Sequence, residues 1–212
     1  MNTMIRYYDL NDPDNSGTTI HLDNASAIVD IDYDPQDAYI YYTDRNNRTI
    51  SRVRINGTDE ELIISDVNPK GLTLDVEFRM MYWTNSDSDT IERSWLNGTR
   101  REVLIRKDLY EPSSIVLDKD KGQVFYYTKM IWKDTTRFGA ILRVDLNGQN
   151  IECVVRKPGY SQFVLGYDPL KQQLYWSSDD LNYIVAADMD GKNEQHYVLP
   201  FKYPIAVATY GI

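Results

Sequence analysis

A short aromatic motif recurs four times in this sequence. It reads Tyr41-Tyr42-Thr43-Asp44, Tyr82-Trp83-Thr84-Asn85, Tyr126-Tyr127-Thr128-Lys129 and Tyr175-Trp176-Ser177-Ser178, with starts 41, 44 and 49 residues apart. A period of this size restricts the fold more than any other feature. Each copy is one supersecondary unit that cannot bury its apolar face alone, so the units must stack on one another.

Other features keep phase with the motif. An acidic residue precedes the first Tyr by seven positions at Asp34, Asp75 and Asp168, and by eight at Asp118. Short apolar runs lie ahead of these acids: Ile28-Val29-Asp30-Ile31, Gly71-Leu72-Thr73-Leu74, Ser114-Ile115-Val116-Leu117 and Phe163-Val164-Leu165-Gly166. Fifteen residues after the first Tyr comes Asn56-Gly57, Asn97-Gly98 or Asp190-Gly191; in the third unit the distance to Asn147-Gly148 is 21, six residues more. Six residues past each turn stand Leu62, Val103, Cys153 and His196, which reads as an inward-facing position.

Each unit therefore reads as four strands, A to D. The motif lies on B, and the alternation of Ile50-Ser51-Arg52-Val53-Arg54-Ile55 and Ile141-Leu142-Arg143-Val144-Asp145-Leu146 marks C. Asn-Gly and Asp-Gly between alternating segments predict type I′ hairpins. No segment has a helical period. The fold class expected is all-β, a β-propeller of four-stranded antiparallel blades.

The second unit, with Leu74-Asp75, Tyr82-Trp83-Thr84-Asn85 and Ile91-Glu92-Arg93-Ser94-Trp95-Leu96-Asn97-Gly98, resembles the YWTD (class B) repeats of low-density lipoprotein receptor relatives. The resemblance covers nearly the whole chain, departing at the fourth motif position in Asn85, Lys129 and Ser178. It implies a six-bladed ring. Against that, residues 1–24 read as the end of a partial blade, residues 25–66, 67–110, 111–158 and 159–199 as four full blades, and residues 200–212 as the start of another. The expectation is an incomplete six-bladed ring belonging to a longer protein. The alternatives are a contracted five-blade ring and an arc completed by a second chain.

Composition narrows the function. A net charge of −9 without a basic patch argues against nucleic acid, and no run of eighteen apolar residues predicts direct membrane insertion in this segment. The residues from Met1 to Tyr8 have no signal-peptide shape. Cys153 is the single cysteine and reads as a buried small hydrophobe, so no internal disulfide is expected. A lone cysteine taken by itself fits the cytosol. In the family the cysteines lie in growth-factor-like modules alongside the propeller. His21 and His196 are the only histidines and read as packed or edge rings. No catalytic residue, metal ligand or cofactor is predicted, because neither a His/Cys cluster nor a Gly-x-Ser-x-Gly elbow exists.

The repeated residues read as scaffold. Tyr41, Tyr42, Tyr82, Trp83, Tyr126, Tyr127, Tyr175 and Trp176 are expected between sheets. Thr43, Thr84, Thr128 and Ser177 are expected to bond locally, and Asp34, Asp75, Asp118 and Asp168 to cap the A–B corners, with a shared cation site as the alternative. Sequons at Asn24, Asn47, Asn56 and Asn97 fall in predicted turns, where an acceptor is exposed. The extra residues of the third unit read as a long loop carrying Met130, Trp132, Arg137 and Phe138, a composition suited either to partner contact or to packing on its own blade. Trp95 beside a sequon has the same two readings.

The function expected is that of a non-enzymatic extracellular propeller of a receptor-like protein, lipoprotein-receptor-like or Wnt-co-receptor-like. It would bind a protein ligand or pack against neighbouring growth-factor-like modules, as part of a longer single-pass membrane protein at the cell surface. With two histidines, pH gating by histidine has no support. The alternatives are a propeller hydrolase with a divalent cation in its channel and a soluble intracellular interaction scaffold.

Overall fold

Each alternating segment pairs with the next one along the chain. The computed structural model describes residues 3–8, 17–131, 137–158, 163–178 and 182–198. The first sheet pairs β1 (Thr3–Tyr7) with β2 (Thr18–Leu22). The second is an antiparallel meander of β3 (Ile28–Asp34), β4 (Tyr39–Asp44), β5 (Thr49–Arg54) and β6 (Glu61–Ile64). The third contains β7 (Pro69–Asp75), β8 (Met80–Asn85), β9 (Thr90–Trp95) and β10 (Glu102–Ile105). The fourth contains β11 (Ile115–Asp118), β12 (Gln123–Ile131), β13 (Arg137–Asp145) and β14 (Glu152–Pro158). The fifth contains β15 (Phe163–Asp168), β16 (Gln173–Ser178), β17 (Tyr183–Asp188) and β18 (Gln195–Val198). We refer to the four full sheets as blades 1 to 4. Their first strands, β3, β7, β11 and β15, touch in succession, which sets the blades radially as a β-propeller. Among the described residues there is no helix.

Aromatic and branched side chains fill the wedges between blades. Tyr42 packs with Val53 of its own blade and with Ile5 and Ile20 of the first sheet, and Tyr41 packs with Leu72, Leu74 and Trp83 between blades 1 and 2. Tyr82 packs with Ile115 and Tyr126 between blades 2 and 3, and Phe125 and Tyr127 pack with Leu165 and Trp176 between blades 3 and 4. Large flat rings suit this role because each removes a large apolar area from water on both neighbouring sheets.

These packing directions expose a shift in the third unit. Asp32 pairs with Tyr41 and Thr73 with Tyr82, whereas Val116 pairs with Phe125. The third copy of the motif is therefore Phe125-Tyr126-Tyr127-Thr128, one residue earlier than Tyr126-Tyr127-Thr128-Lys129. Asp118 then stands seven residues before it, as in the other units. A one-residue shift moves every side chain to the opposite face of a strand. That is why Tyr126 faces blade 2 and Tyr127 faces blade 4.

Two turn-level expectations are also corrected. The hairpin tips are not type I′. Asn56, Asn97, Asn147 and Asp190 do not have positive φ; the left-handed residue is the glycine that follows, with φ of 84°, 80°, 79° and 71° at Gly57, Gly98, Gly148 and Gly191. The Gly57 amide donates to Arg54 O at 2.8 Å and Gly98 to Trp95 O at 2.8 Å. This is a type I turn closed by a glycine bulge. Leu62, Val103 and Cys153 are exposed rather than inward-facing. The register slips beside them, between β5 and β6, β9 and β10, and β13 and β14, so Ile64, Ile105 and Val155 take the buried positions instead.

The additional residues of blade 3 lengthen strands more than they lengthen a loop. Registered pairs continue from Tyr127–Ile141 out to Ile131–Arg137, so β12 and β13 form a ribbon of nine residues per strand.

Candidate interaction surfaces

The fourth motif position holds the loop that enters each blade. Asp44 Oδ2 accepts from the Ser26 amide at 2.5 Å and Oδ1 from the Ala27 amide at 3.2 Å. Asn85 Oδ1 accepts from the Asn68 amide at 3.1 Å, and Thr128 Oγ1 from the Tyr110 amide at 3.0 Å. Thr128 therefore does the work of Asp44, as the shifted register requires. Lys129 lies outside the motif and pairs with Glu111 at 2.5 Å. At the third position, Thr43 Oγ1 accepts from the Asp30 amide and Thr84 Oγ1 from the Gly71 amide, both at 2.9 Å. Ser177 is buried, and Tyr175 is half-buried with its hydroxyl on Gln173. The Ser178 side chain lies outside the described residues.

The four acids ahead of the motif are buried, and each serves its own A–B turn. Asp34 accepts from the Gln36 amide, Asp75 from Phe78, Asp118 from Lys121, and Asp168 from Leu170 and Lys171, all at 2.9–3.2 Å. Asp34 also pairs with Arg79 of the next blade at 2.8 Å. Among the described residues no group of three His, Cys, Asp or Glu side chains comes together to hold a metal ion.

Two acids on the innermost strand of blade 1 were not singled out in the sequence. Asp30 Oδ2 accepts from the Leu72 amide and Asp32 Oδ2 from the Leu74 amide, each at 2.8 Å. The inner edge of β7 would otherwise leave these donors unpaired, a costly state away from water. At the junction of blades 3 and 4 the same need is met by Ser114 Oγ, which accepts from the Leu165 amide at 3.0 Å. At the junction of blades 2 and 3 the backbones themselves approach. A Cβ on Gly71 would meet Ser113 O at 2.3 Å, so only glycine fits. Burial pushes the carboxyls of Asp30 and Asp32 up to about 7 and about 6, against the amide hydrogen bonds that lower them. The available signal was the period-2 spacing of Asp30, Asp32 and Asp34 on one face of a strand.

A repeated arginine also links the blades. Arg52, Arg93 and Arg143 occupy one position on the third strands and pair with Glu61, Glu102 and Glu152 at 2.6–2.7 Å. Two of the guanidiniums reach the hairpin tip of the next blade directly, and Arg52 is linked to it through a tyrosine. Arg93 donates to Leu146 O and Arg143 to Met189 O, while Arg52 donates to the Tyr41 hydroxyl, which donates to Leu96 O at 3.2 Å. The signal was an Arg two residues after Ile50, Ile91 and Ile141 with a Glu nine residues further on.

The meander order places connections at two ends of the molecule. One end carries the A–B turns and the hairpin tips with Asn56 and Asn97. The other carries the B–C turns and the entering loops, with Asn24, Asn47 and the β12–β13 ribbon. All four sequon asparagines are exposed. The Asn47 side-chain amide is already engaged, donating to Asn24 O at 2.6 Å and Asp44 Oδ2 at 3.1 Å. A cleft of about 450 Å³ opens between blades 1 and 2 beside Trp95, which is 36% exposed. Phe138 is not a surface contact: it is buried at 7%, with the Arg156 guanidinium 4.7 Å from its ring centroid. Strand extension carries it onto the inner side of the ribbon. The Met130 and Arg137 side chains and the whole of Trp132 lie outside the described residues. His196 stacks on Tyr183 at 4.7 Å, and His21 is exposed.

Comparison with known proteins agrees with this geometry. Residues 79–119 match the low-density lipoprotein receptor repeat class B family. The chain is 30% identical to human low-density lipoprotein receptor-related protein 5 over 170 residues, covering 77% of this chain and 10% of that protein. It is 34% identical to human low-density lipoprotein receptor-related protein 4 over 73 residues, 34% of this chain and 4% of that protein. The chain thus spans a tenth or less of these relatives. Among solved structures, a nidogen/laminin complex aligns with a TM-score of 0.85 at 24% identity, covering 98% of this chain and 79% of the other. A gluconolactonase from Xanthomonas campestris aligns with a TM-score of 0.74 at 16% identity, covering 89% and 68%. At these identities the structural likeness is one of fold.

Proposed function

We propose that this chain, a β-propeller that carries low-density lipoprotein receptor class B repeats, is a non-catalytic extracellular binding module of a receptor-like protein. The observation that carries the reading is the similarity to a receptor over 77% of the chain. The internal chemistry supports it. The motif residues, corner acids and arginines are occupied in joining blades, which makes a rigid support for its two end surfaces. Catalysis has less to recommend it. The fold is shared with a gluconolactonase, but the four acids ahead of the motif each serve their own turn, and Asp30 and Asp32 serve the edge of β7. Among the described residues no three His, Cys, Asp or Glu side chains converge.

The end that carries the β12–β13 ribbon is the surface we assign to a protein partner. The ribbon departs most from the repeat and gives that end a feature the other blades lack. Packing against growth-factor-like modules is a second use of the same rigid body. The glycosylation of Asn24, Asn56 and Asn97 belongs to this reading.

Labelling of intact source cells with a membrane-impermeant reagent, followed by intact-mass measurement before and after N-glycan removal, tests the compartment. The expected result is a labelled species that loses mass on glycan removal. An unlabelled species with no glycan would overturn the proposal.

A further inference from the structure

We propose that Asn97 carries an N-linked glycan whose first N-acetylglucosamine lies against the indole of Trp95, making this hairpin tip a sugar-stacking site. The inference rests on the extracellular reading above and deepens it. Trp95 and Thr99 flank the turn, joined by the Trp95 amide donating to Thr99 O at 3.0 Å, so their side chains leave on the same face. The Thr99 hydroxyl donates to Asn97 Oδ1 at 2.7 Å, which brings the Asn97 side chain to that face as well. Asn97 Oδ1 is thereby occupied by Thr99, and among the described residues its Nδ2 donates to no group. Trp95, Asn97 and Thr99 all line the 450 Å³ cleft, with Asp37 and Arg52 of blade 1 also on its wall.

The chemistry fits a pyranose. One face of the sugar presents ring C–H groups, which complement the negative face of an indole. The hydroxyls and the acetamido group then meet the charged wall across the cleft. Arg100, 5.9 Å from the Trp95 ring, is the group the sugar would displace.

The other hairpins act as internal controls, because all four share the glycine-bulge turn. Asn56-Gly57-Thr58 has the same threonine bond, at 2.9 Å, but Arg54 stands where Trp95 stands. Asn147 is followed two residues later by Gln149, and the fourth tip has Asp190 in place of an amide. Only the blade 2 tip combines acceptor and indole.

Attachment is a glycosyl transfer. Asn97 Nδ2 attacks C1 of the reducing-end sugar of a lipid-pyrophosphate-linked oligosaccharide, forming a C–N bond. The C–O bond to pyrophosphate breaks, the lipid pyrophosphate departs with its electron pair, and one amide proton is lost. No redox partner is needed.

The test uses the chain secreted from a eukaryotic host, with glycans mapped by site and then trimmed to a single N-acetylglucosamine. The protein with Asn97 as its one remaining sequon should melt about 2–4 °C higher than its unglycosylated form. The gain should vanish in Trp95→Arg and be absent when Asn56 is the remaining sequon. Should Trp95→Arg fail to fold, a nuclear Overhauser contact between the sugar and the indole of the unmutated protein decides instead. An occupied Asn97 with neither gain nor contact overturns the stacking and leaves the extracellular reading standing. An empty Asn97 beside other occupied sequons overturns this inference alone. Four empty sequons overturn both.

Discussion

The Asp30 carboxylate of blade 1 accepts the main-chain N–H of Leu72 in blade 2 at 2.8 Å, and Asp32 repeats the contact with Leu74. Burial holds their carboxyls at about 7 and about 6, above the ordinary 3.8. Between these values the folded chain keeps protons that the unfolded chain releases. Their contribution to stability is therefore full below about pH 4 and is lost as pH rises through 6 to 7. Asp30→Asn and Asp32→Asn keep an oxygen for the amide and remove the charge. Melting temperature measured from pH 5 to pH 8 should fall less steeply in the double variant than in the unmutated chain. Equal slopes would contradict the assignment.

Glu92 runs the opposite way. Burial alone would raise its carboxyl, but Arg101 at 2.7 Å and Asn85 at 2.8 Å outweigh that and hold it below the ordinary range. Its contribution is present above about pH 4.5 and lost on acidification. Arg101→Met leaves the buried carboxylate without its cation; because the guanidinium is 36% exposed and screened by solvent, the loss should be about 1–3 kcal/mol at pH 7. Urea unfolding checks this, and a loss below about 1 kcal/mol would contradict it.

Trp83 is fully buried between blades 1 and 2 beside Tyr41 and Leu74. Trp83→Ala should cost about 3–5 kcal/mol, since neighbouring sheets cannot collapse onto the space. Denaturant unfolding measures the loss, and a change under about 1 kcal/mol would remove Trp83 from the wedge.

The register of blade 3 separates two neighbouring residues. Thr128 Oγ1 holds the Tyr110 amide from a fully buried position, whereas Lys129 is partly exposed and pairs with Glu111. Thr128→Val should cost about 1–3 kcal/mol through an unsatisfied buried donor, and Lys129→Gln about 0–1 kcal/mol. The reverse order in thermal unfolding would restore the later reading of the motif.

Much of the fold was legible because the repeat is local. The four-stranded unit, its strand order and the aromatic wedges follow from motifs spaced along one chain. Turn type and the third register were not. Asn-Gly suits both a type I′ turn and a glycine bulge, and the choice is visible only in φ at Asn97 and Gly98. Tyr126-Tyr127-Thr128 imitates Tyr41-Tyr42-Thr43 in letters, while packing of Phe125 and Tyr126 on opposite blades sets the register. The contacts that join blades were least visible. Asp30 with Leu72 and Arg93 with Leu146 O link residues 42 and 53 apart, and pairing at such separation leaves no mark on a local pattern. Cys153 misled for a related reason, since a bulge in the neighbouring pairing turned its strand outward.

The central claim is that one end of a rigid propeller binds a protein partner. Photo-cross-linking residues placed singly at Asn46 and Ser86, on the end with the β12–β13 ribbon, and at Phe78 and Lys119, on the opposite end, test it at the surface of source cells. The account predicts a defined protein adduct from the first pair and none from the second. Adducts only from Phe78 and Lys119 would contradict the assigned face, and no adduct from any of the four would contradict the binding function itself.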